Sequence, residues 1–200
     1  MYVKNKIPSI EDIFRAQKLM DKTAVRKTPL SKSNTFSTIA RTNIFLKFES
    51  FQRTGSFKVR GAYAKINSLT DEQYKSGIIA ASAGNHAQGV AYAAQRRNIK
   101  CNIVMPKNAS PAKVAATRSY GANVILSGDT YDESWKTADS LSREYGYSII
   151  HAFDDPIVIS GQGTIGLELM EDLKEIDKIY LPVGGGGLAS GVSLAIKARR

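Results

Sequence analysis

The sequence contains little of the side-chain chemistry that disulfides and metal sites require. Its single cysteine, Cys101, cannot form an internal disulfide, and only two histidines, His86 and His151, accompany it in 200 residues. A structural zinc site needs a fuller set of cysteine and histidine ligands than this chain offers. The composition therefore predicts that the protein holds no metal ion.

Long apolar runs are also missing. No stretch approaches the roughly 20 residues that span a bilayer, and the polar first residues lack the apolar segment of a signal peptide. These absences predict a soluble, cytoplasmic protein without a membrane partner.

Charge is the one unusual total of the composition. Lysine and arginine number 28 against 18 aspartates and glutamates, a formal net charge of +10. A nucleic-acid-binding protein concentrates its basic residues on one face or stripe, often with aromatic residues between them. Here the basic residues are scattered along the chain, so we expect them to cover solvated helix faces and expect no nucleic-acid partner.

Apolar periodicity and turn residues alternate regularly along the chain. Two capping boxes, Ser9 with Asp12 and Thr70 with Gln73, each predict the start of a helix. Strands are predicted at 43–48, 78–81, 102–105, 121–126, 148–151 and 178–182, and further helices at 57–69, 87–97, 111–120, 130–144 and 164–173. Such alternation is typical of βαβ units. We therefore predict an α/β fold with a parallel sheet.

In such sheets ligands bind at the carboxyl ends of strands, where glycine turns lead into helices. The four glycines at 184–187 follow a predicted strand and precede a small-residue helix. Without side chains, their successive N–H groups can face an anion at the helix N-terminus, which favours a phosphate site over a flexible linker. Two windows, Gly161–Gly166 and Gly184–Ala189, match the dinucleotide spacing only weakly, and no glycine loop has the Gly-Lys-Ser/Thr ending of a triphosphate site.

A lysine follows the second glycine turn, in the run Thr54–Ala62. A cation at a helix N-terminus opposes the helix dipole, so this position favours the neutral, nucleophilic amine of Lys58. An isolated lysine is more often a surface residue. Combined with a phosphate site, however, this amine suggests pyridoxal 5'-phosphate, whose aldehyde takes a lysine amine as a Schiff base.

The third turn, Ser82–His86, places hydroxyl, amide and backbone donors at the start of another helix. Such donors suit a carboxylate. Simple helix capping by Ser82 or Asn85 is an equally good local interpretation, and it is compatible with anion binding.

Together, these three segments resemble the threonine and serine dehydratases of the fold type II (tryptophan synthase beta-like) pyridoxal-phosphate enzymes, a group that includes serine racemase. The order and separation of the segments match, and the likeness covers nearly the whole chain. The resemblance implies that Lys58 carries the cofactor and then acts as the base at the substrate Cα, with Phe57 near the cofactor ring. The other cofactor contacts that it implies are Asn85, Gly184, Gly185, Gly186, Gly187 and Leu188. The substrate carboxylate would lie among Ser82, Ala83, Gly84, Asn85 and His86.

One position of the substrate loop separates the activities within this group. The racemases carry a serine where this chain has Ala83, and that serine is their second base. The resemblance therefore implies a threonine dehydratase that forms 2-oxobutanoate and ammonia and also acts on L-serine, with a serine racemase or serine dehydratase as the alternative. Sulfhydrylases and threonine synthases usually have threonine at the position of His86, which argues against them.

The dehydratases that this chain resembles continue well beyond the tetraglycine loop. Their layout implies a small inserted α/β domain at 49–145 and an incomplete large domain formed by 1–48 and 146–200. The group that faces the pyridine nitrogen is therefore expected beyond this chain. A catalytically inert anion-binding or cofactor-binding fragment is a second interpretation. For the full-length protein, the resemblance implies a homo-oligomer that takes a small amino-acid substrate.

Overall fold

A computed structural model describes residues 7–198 of the chain. Its strands are β1 (Leu30–Lys32), β2 (Phe45–Lys47), β3 (Ile78–Ala81), β4 (Cys101–Met105), β5 (Asn123–Leu126) and β6 (Ser148–Ile149). Its α-helices are α1 (Ile10–Leu19), α2 (Asn34–Ala40), α3 (Lys58–Asn67), α4 (Asp71–Ser76), α5 (Asn85–Arg97), α6 (Pro111–Ser119), α7 (Tyr131–Tyr145), α8 (Pro156–Asp172) and α9 (Gly187–Lys197). Both predicted capping boxes are formed, at the starts of α1 and α4.

Four strands form a parallel sheet in the order β5-β4-β3-β6, and β1 and β2 form a separate antiparallel pair. The parallel α/β prediction is therefore confirmed. Strand β3 shows how the sheet is covered, because its residues alternate between two apolar clusters. Ile78 and Ala80 lie in the cluster that contains the buried face of α5, whereas Ile79 and Ala81 lie in the cluster around Ala138 of α7. Helices thus cover both faces of the sheet, as parallel strands require.

The strand order also defines where a ligand can bind. From β3 the chain proceeds outward to β4 and β5, and β6 then returns to the opposite side of β3. The direction in which the chain adds strands to the sheet therefore reverses between β3 and β6, although all four strands run parallel. In open α/β sheets the crevice beyond the carboxyl ends of two such strands is the usual ligand site.

Helix α8 begins at Pro156, eight residues before the predicted start at 164. The side chain of Asp155 caps it by accepting the N–H groups of Ile157 (2.8 Å) and Val158 (3.1 Å). Its glycines permit close helix packing: a Cβ on Gly161 would lie 2.6 Å from the Cα of Gly61 in α3, and one on Gly163 would lie 2.9 Å from the carbonyl oxygen of Gly191 in α9. The window Gly161–Gly166 is therefore a helix-packing face and not a phosphate loop.

The predicted strand at 178–182 is wrong. This segment is irregular, with Tyr180 86% exposed, and among residues 7–198 no strand pairs with it. A strand is stabilised by the ladder it forms with a neighbour, so an apolar sequence alone does not create one.

None of the helices within residues 7–198 is both long enough and apolar enough to cross a membrane.

Candidate active site

The first loop of the site connects β3 to α5 and contains the predicted substrate residues. The N–H of Ser82 donates to the Val104 carbonyl (3.0 Å), and its hydroxyl accepts the N–H of Gly84 (3.2 Å). Asn85, which is exposed, begins α5, and no side chain caps the helix. The first amides of a helix have no acceptor within the helix, so this loop offers N–H donors and a favourable dipole to an anion.

Within the loop Ser82–His86, His86 is the buried residue, with 3% of its surface exposed. Its Nε2 donates to the Ile150 carbonyl (2.9 Å), and its Nδ1 has no partner within residues 7–198. Burial lowers the pKa of His86 from 6.5 to about 4; the hydrogen bond to Ile150 opposes this shift, and the charges of Lys58 and His151 add to it. The ring is therefore neutral near pH 7 and connects the substrate loop to the segment after β6.

Lys58 is the first residue of α3, and its backbone N–H donates to the Ser56 hydroxyl (3.2 Å). Its Nζ donates to the Ala152 carbonyl (2.7 Å) and lies 5.5 Å from the centroid of the Phe57 ring. Partial burial lowers the pKa of the amine. The shift is toward the neutral form that the sequence suggested, and its cause is burial of the amine, not the helix dipole on which the sequence argument relied.

The tetraglycine loop leads into α9, which begins at Gly187. A Cβ on Gly185 would lie 2.3–2.5 Å from ring carbons of Phe153, and one on Gly187 would lie 2.8 Å from the Phe153 carbonyl oxygen. Gly186 has φ +84°, a left-handed conformation that favours glycine. Gly184 borders open space, since no atom lies within 4 Å of the position that a Cβ on this residue would take. The loop is therefore held on Phe153 and has room for an anion at the start of α9.

One short segment, Ile150–Phe153, joins all three predicted motifs. It follows β6 directly and provides the carbonyl that holds His86, the carbonyl that holds Lys58 and the ring on which the tetraglycine loop packs. His151 stabilises its turn, because the Nδ1 of that residue accepts the N–H groups of Phe153 (3.3 Å) and Asp154 (2.7 Å).

The sequence analysis did not identify this segment as part of the site. It has no glycine turn, which was the signal used for the other loops. A usable signal was present nevertheless: the segment follows a predicted strand, and a ligand crevice lies at the carboxyl ends of parallel strands.

Comparison with known proteins assigns the family. A family model described as pyridoxal-phosphate dependent enzyme matches residues 22–200. The chain belongs to the pyridoxal-phosphate-dependent enzyme family. This agrees with the resemblance inferred from the three motifs.

The relatives within this pyridoxal-phosphate-dependent family include ammonia-lyases and a racemase. L-threonine ammonia-lyase of Thermotoga maritima is 51% identical over 190 residues, which are 95% of this chain and 47% of the relative. Maize serine racemase superposes with a TM-score of 0.93 at 40% identity, covering 97% of this chain and 59% of the racemase. The processed form of threonine deaminase isoform 2 from Solanum lycopersicum superposes with a TM-score of 0.90 at 40% identity, covering 98% of this chain and 56% of the deaminase. The chain spans about half the length of the curated relatives that it matches.

The residues present fit the cofactor that this family uses. A partly buried amine with a lowered pKa lies against the segment Ile150–Phe153, which also holds His86 of the β3–α5 loop, and a glycine loop that tolerates no side chain at Gly185 precedes a helix N-terminus. An amine can bond to the cofactor aldehyde, and a helix N-terminus suits its phosphate.

Proposed function

We propose that the protein to which this chain belongs is a pyridoxal-phosphate-dependent L-threonine ammonia-lyase. It would convert L-threonine to 2-oxobutanoate and ammonia and also act on L-serine. One observation carries the proposal: Lys58, the β3–α5 loop and the tetraglycine loop are all fixed by the segment Ile150–Phe153. The similarity to a threonine ammonia-lyase over 95% of the chain supports it.

The residues proposed to hold the cofactor belong to the three motifs that contain Lys58, Asn85 and the tetraglycine loop. When bound, pyridoxal phosphate disperses the negative charge that develops at the substrate Cα, so a weakly acidic proton can be removed by an ordinary amine. Lys58 would bind it covalently, Phe57 would border its ring and Asn85 would hydrogen-bond to its phenolic oxygen. Its phosphate would be bound by Gly184, Gly185, Gly186, Gly187 and Leu188.

The β3–α5 loop is proposed to orient the substrate through its carboxylate. Ser82 provides a hydroxyl, and the first turn of α5 provides backbone N–H groups from Asn85 onward. Gly84 and Ala83 keep the approach to these donors free of bulk. The side chain of His86 already donates to Ile150, so we propose that this residue acts on the carboxylate through its backbone N–H.

Lys58 is proposed to move the proton. Its lowered pKa increases the fraction of neutral amine, and the Ala152 carbonyl accepts one N–H at 2.7 Å and so leaves the nitrogen lone pair free. That lone pair would take the Cα proton onto Nζ. Orientation of this kind lowers the entropy cost of proton transfer.

Serine racemase is the second candidate, since a maize racemase superposes with a TM-score of 0.93. Ala83 favours the lyase, because its methyl group can neither donate nor accept a proton on the cofactor face opposite Lys58. An inert cofactor-binding protein is the third candidate, and a protein that holds the cofactor but releases no ammonia would favour it.

The test begins with the purified protein and pyridoxal phosphate. Borohydride reduction followed by mass spectrometry should place the cofactor on Lys58, and L-threonine should release 2-oxobutanoate and ammonia. Lys58→Ala should abolish both results, whereas the control Lys75→Ala, an exposed lysine of α4, should retain them. Cofactor attachment at another lysine would contradict the assignment of Lys58, and attachment without ammonia release would favour the inert alternative.

The resemblance also leads us to propose a cytoplasmic homo-oligomer for the whole protein. Light scattering of the purified protein tests the assembly, and a monomer would contradict it.

A further inference from the structure

A buried ionic cluster lies close to Lys58 but outside the proposed chemistry. At its centre is Arg60 of α3, a guanidinium with only 1% of its side chain exposed. Adjacent residues of a helix are rotated by about 100°, so Arg60 and Lys58 point to nearly opposite sides of α3. Arg60 therefore does not reach the cofactor region through its own side chain.

Arg60 uses both edges of its planar side chain. Its Nε and Nη2 donate to Glu49, each at 2.8 Å, and its Nη1 and Nη2 donate to Glu168 at 2.6 and 3.1 Å. Nη1 also donates to the Thr164 hydroxyl (3.2 Å), and Nη2 donates to the Arg26 carbonyl (3.3 Å). A lysine at this position could not make two paired contacts of this kind.

The charges of the cluster balance. Lys47 contributes a second cation, with its Nζ 2.6 Å from Glu168 and 2.7 Å from the Thr28 carbonyl. Burial disfavours the charged form of Arg60, but the hydrogen bonds that it donates to Glu49 and Glu168, together with their negative charges, outweigh burial and raise the pKa of the guanidinium. Loss of either carboxylate would leave a buried charge without its full set of partners, which is costly.

The cluster connects the first turn of α3 to two other parts of the chain. Glu49 lies just before the Lys58 motif, and Glu168 lies on α8, whose N-terminus directly follows the segment that holds the Lys58 amine. The neighbouring contact between Gly61 and Gly161 allows the helices to approach, but a contact without side chains does not by itself prevent sliding. The paired hydrogen bonds of Arg60 add a directional restraint in the first turn of α3. They act beside two other polar contacts, the Gly61 N–H with Gln162 Oε1 (3.3 Å) and Lys65 Nζ with Asp155 (2.6 Å).

We propose that Arg60, held between Glu49 and Glu168, is a positioning residue that fixes the first turn of α3 against α8 and so directs the Lys58 amine toward the Ala152 carbonyl. The inference rests on the proposed function only in taking Lys58 as the cofactor lysine. The position of the amine itself can be measured without cofactor.

The experiment compares wild type with Arg60→Lys, which keeps the positive charge but removes the planar guanidinium and its paired hydrogen bonds to Glu49 and Glu168. The first readout is acetylation of Lys58 by acetic anhydride as a function of pH, normalised to Lys75 and located by mass spectrometry. We expect the pH midpoint of Lys58 acetylation to rise in Arg60→Lys, because the amine leaves its partly buried position. The second readout is the rate of borohydride-trapped attachment of pyridoxal phosphate to Lys58, expected to fall by about tenfold to a hundredfold since small misplacements of a reacting group have effects of that size.

The matched control is Ile66→Ala, a buried apolar truncation on the same helix that lowers stability without touching the cluster. It should lower Tm and leave both readouts at wild-type values. An Arg60→Lys protein with lowered Tm and an unchanged acetylation midpoint would overturn the proposal, as would an equal midpoint shift in Ile66→Ala. If Arg60→Lys does not fold, Thr164→Val removes one hydrogen bond of Arg60, and Glu168→Gln weakens two of them together with the Lys47 ion pair. An acetylation midpoint of Lys58 that stays at the wild-type value in both variants would then overturn the proposal.

The two readouts separate the two hypotheses. If wild-type Lys58 is not attached to pyridoxal phosphate, the proposed function fails, while the acetylation midpoints still decide the role of Arg60. If attachment occurs and Arg60→Lys shows the wild-type midpoint, only the positioning role fails.

Discussion

At the scale of single residues, His86 is unusual in being an ionisable side chain that the fold holds without charge. Among residues 7–198 its side chain makes one hydrogen bond, which it donates to the Ile150 carbonyl, and protonation would place a cation in the interior near Lys58. The neutral ring therefore links the β3–α5 loop to the segment that holds the Lys58 amine, and this link depends on pH.

Acid should destabilise the protein through His86. Its pKa falls from 6.5 in the unfolded chain to about 4 when folded, so its contribution to stability is full above pH 6.5 and is lost as the pH falls toward 4. The loss should reach about 2 kcal/mol by about pH 5. Urea unfolding at pH 7 and pH 5 measures it. His86→Gln should reduce the pH dependence by that amount, and an equally steep dependence in the variant would show that other groups cause it.

Ala83 is proposed to determine which side of the substrate Cα can be reprotonated. In Ala83→Ser, a hydroxyl would face the side of the cofactor opposite Lys58, and we expect D-serine to form slowly from L-serine. The gain should be small, because the hydroxyl must lie within about 2.6–3.2 Å of Cα and also return its proton. Chiral chromatography of the reaction mixture measures it. Equal racemisation by wild type and variant would remove the argument that Ala83 disfavours a racemase.

At the scale of elements, the sequence predicted those helices and strands whose signals are local. The capping boxes of α1 and α4 and the apolar runs of β3 and β4 lie where they were expected. The first half of α8 was missed because Ser160, Gly161 and Gly163 have low helix propensity, which their close packing against neighbouring helices overrides. The false strand at 178–182 has the opposite cause: a strand-like composition without a partner among residues 7–198.

The close contact between α3 and α8 should tolerate no added methyl group. In Gly161→Ala, the new Cβ would lie 2.6 Å from the Cα of Gly61 and 2.7 Å from the Arg60 carbonyl oxygen, both backbone atoms. Overpacking of this kind costs about 1–3 kcal/mol. Chemical denaturation measures the change. Glu171→Ala, at an exposed position near the end of the same helix, should change stability by less than about 0.5 kcal/mol. If Gly161→Ala were as stable as that control, the helices would not be closely packed here.

At the scale of the whole molecule, the site combines contiguous motifs with one feature that no local pattern contains. The loops around Lys58, Asn85 and Gly185 were predicted because each is a run of adjacent residues. The role of Ile150–Phe153 depends on the position of β6 beside β3, which is a property of the strand order. The division into a small domain at 49–145 and a larger unit formed by 1–48 and 146–200 stays a prediction.

Cofactor binding should stabilise the whole molecule, and the tetraglycine loop should be required for this effect. A ligand at 100 times its Kd stabilises the folded state by about 2.7 kcal/mol, which a thermal shift can detect. In Gly185→Ala the new Cβ would overlap the ring of Phe153, so the loop must move, and with it the N–H groups that we propose bind the phosphate. We expect the shift in Tm with pyridoxal phosphate to disappear in Gly185→Ala and to persist in Lys75→Ala. An undiminished shift in Gly185→Ala would place the phosphate elsewhere.

The placement of β6 also determines the order in which the protein can assemble. The contact of Lys58 with Ala152 spans 94 residues of chain, and that of His86 with Ile150 spans 64. Strands β3, β4 and β5 and the helices between them can form while the chain is being synthesised, but the reactive amine acquires its acceptor only after residue 152 has emerged. Closing such long loops costs entropy before the contact repays it, so the site is completed late in folding. Until then the chain has most of its sheet and no fixed position for the amine.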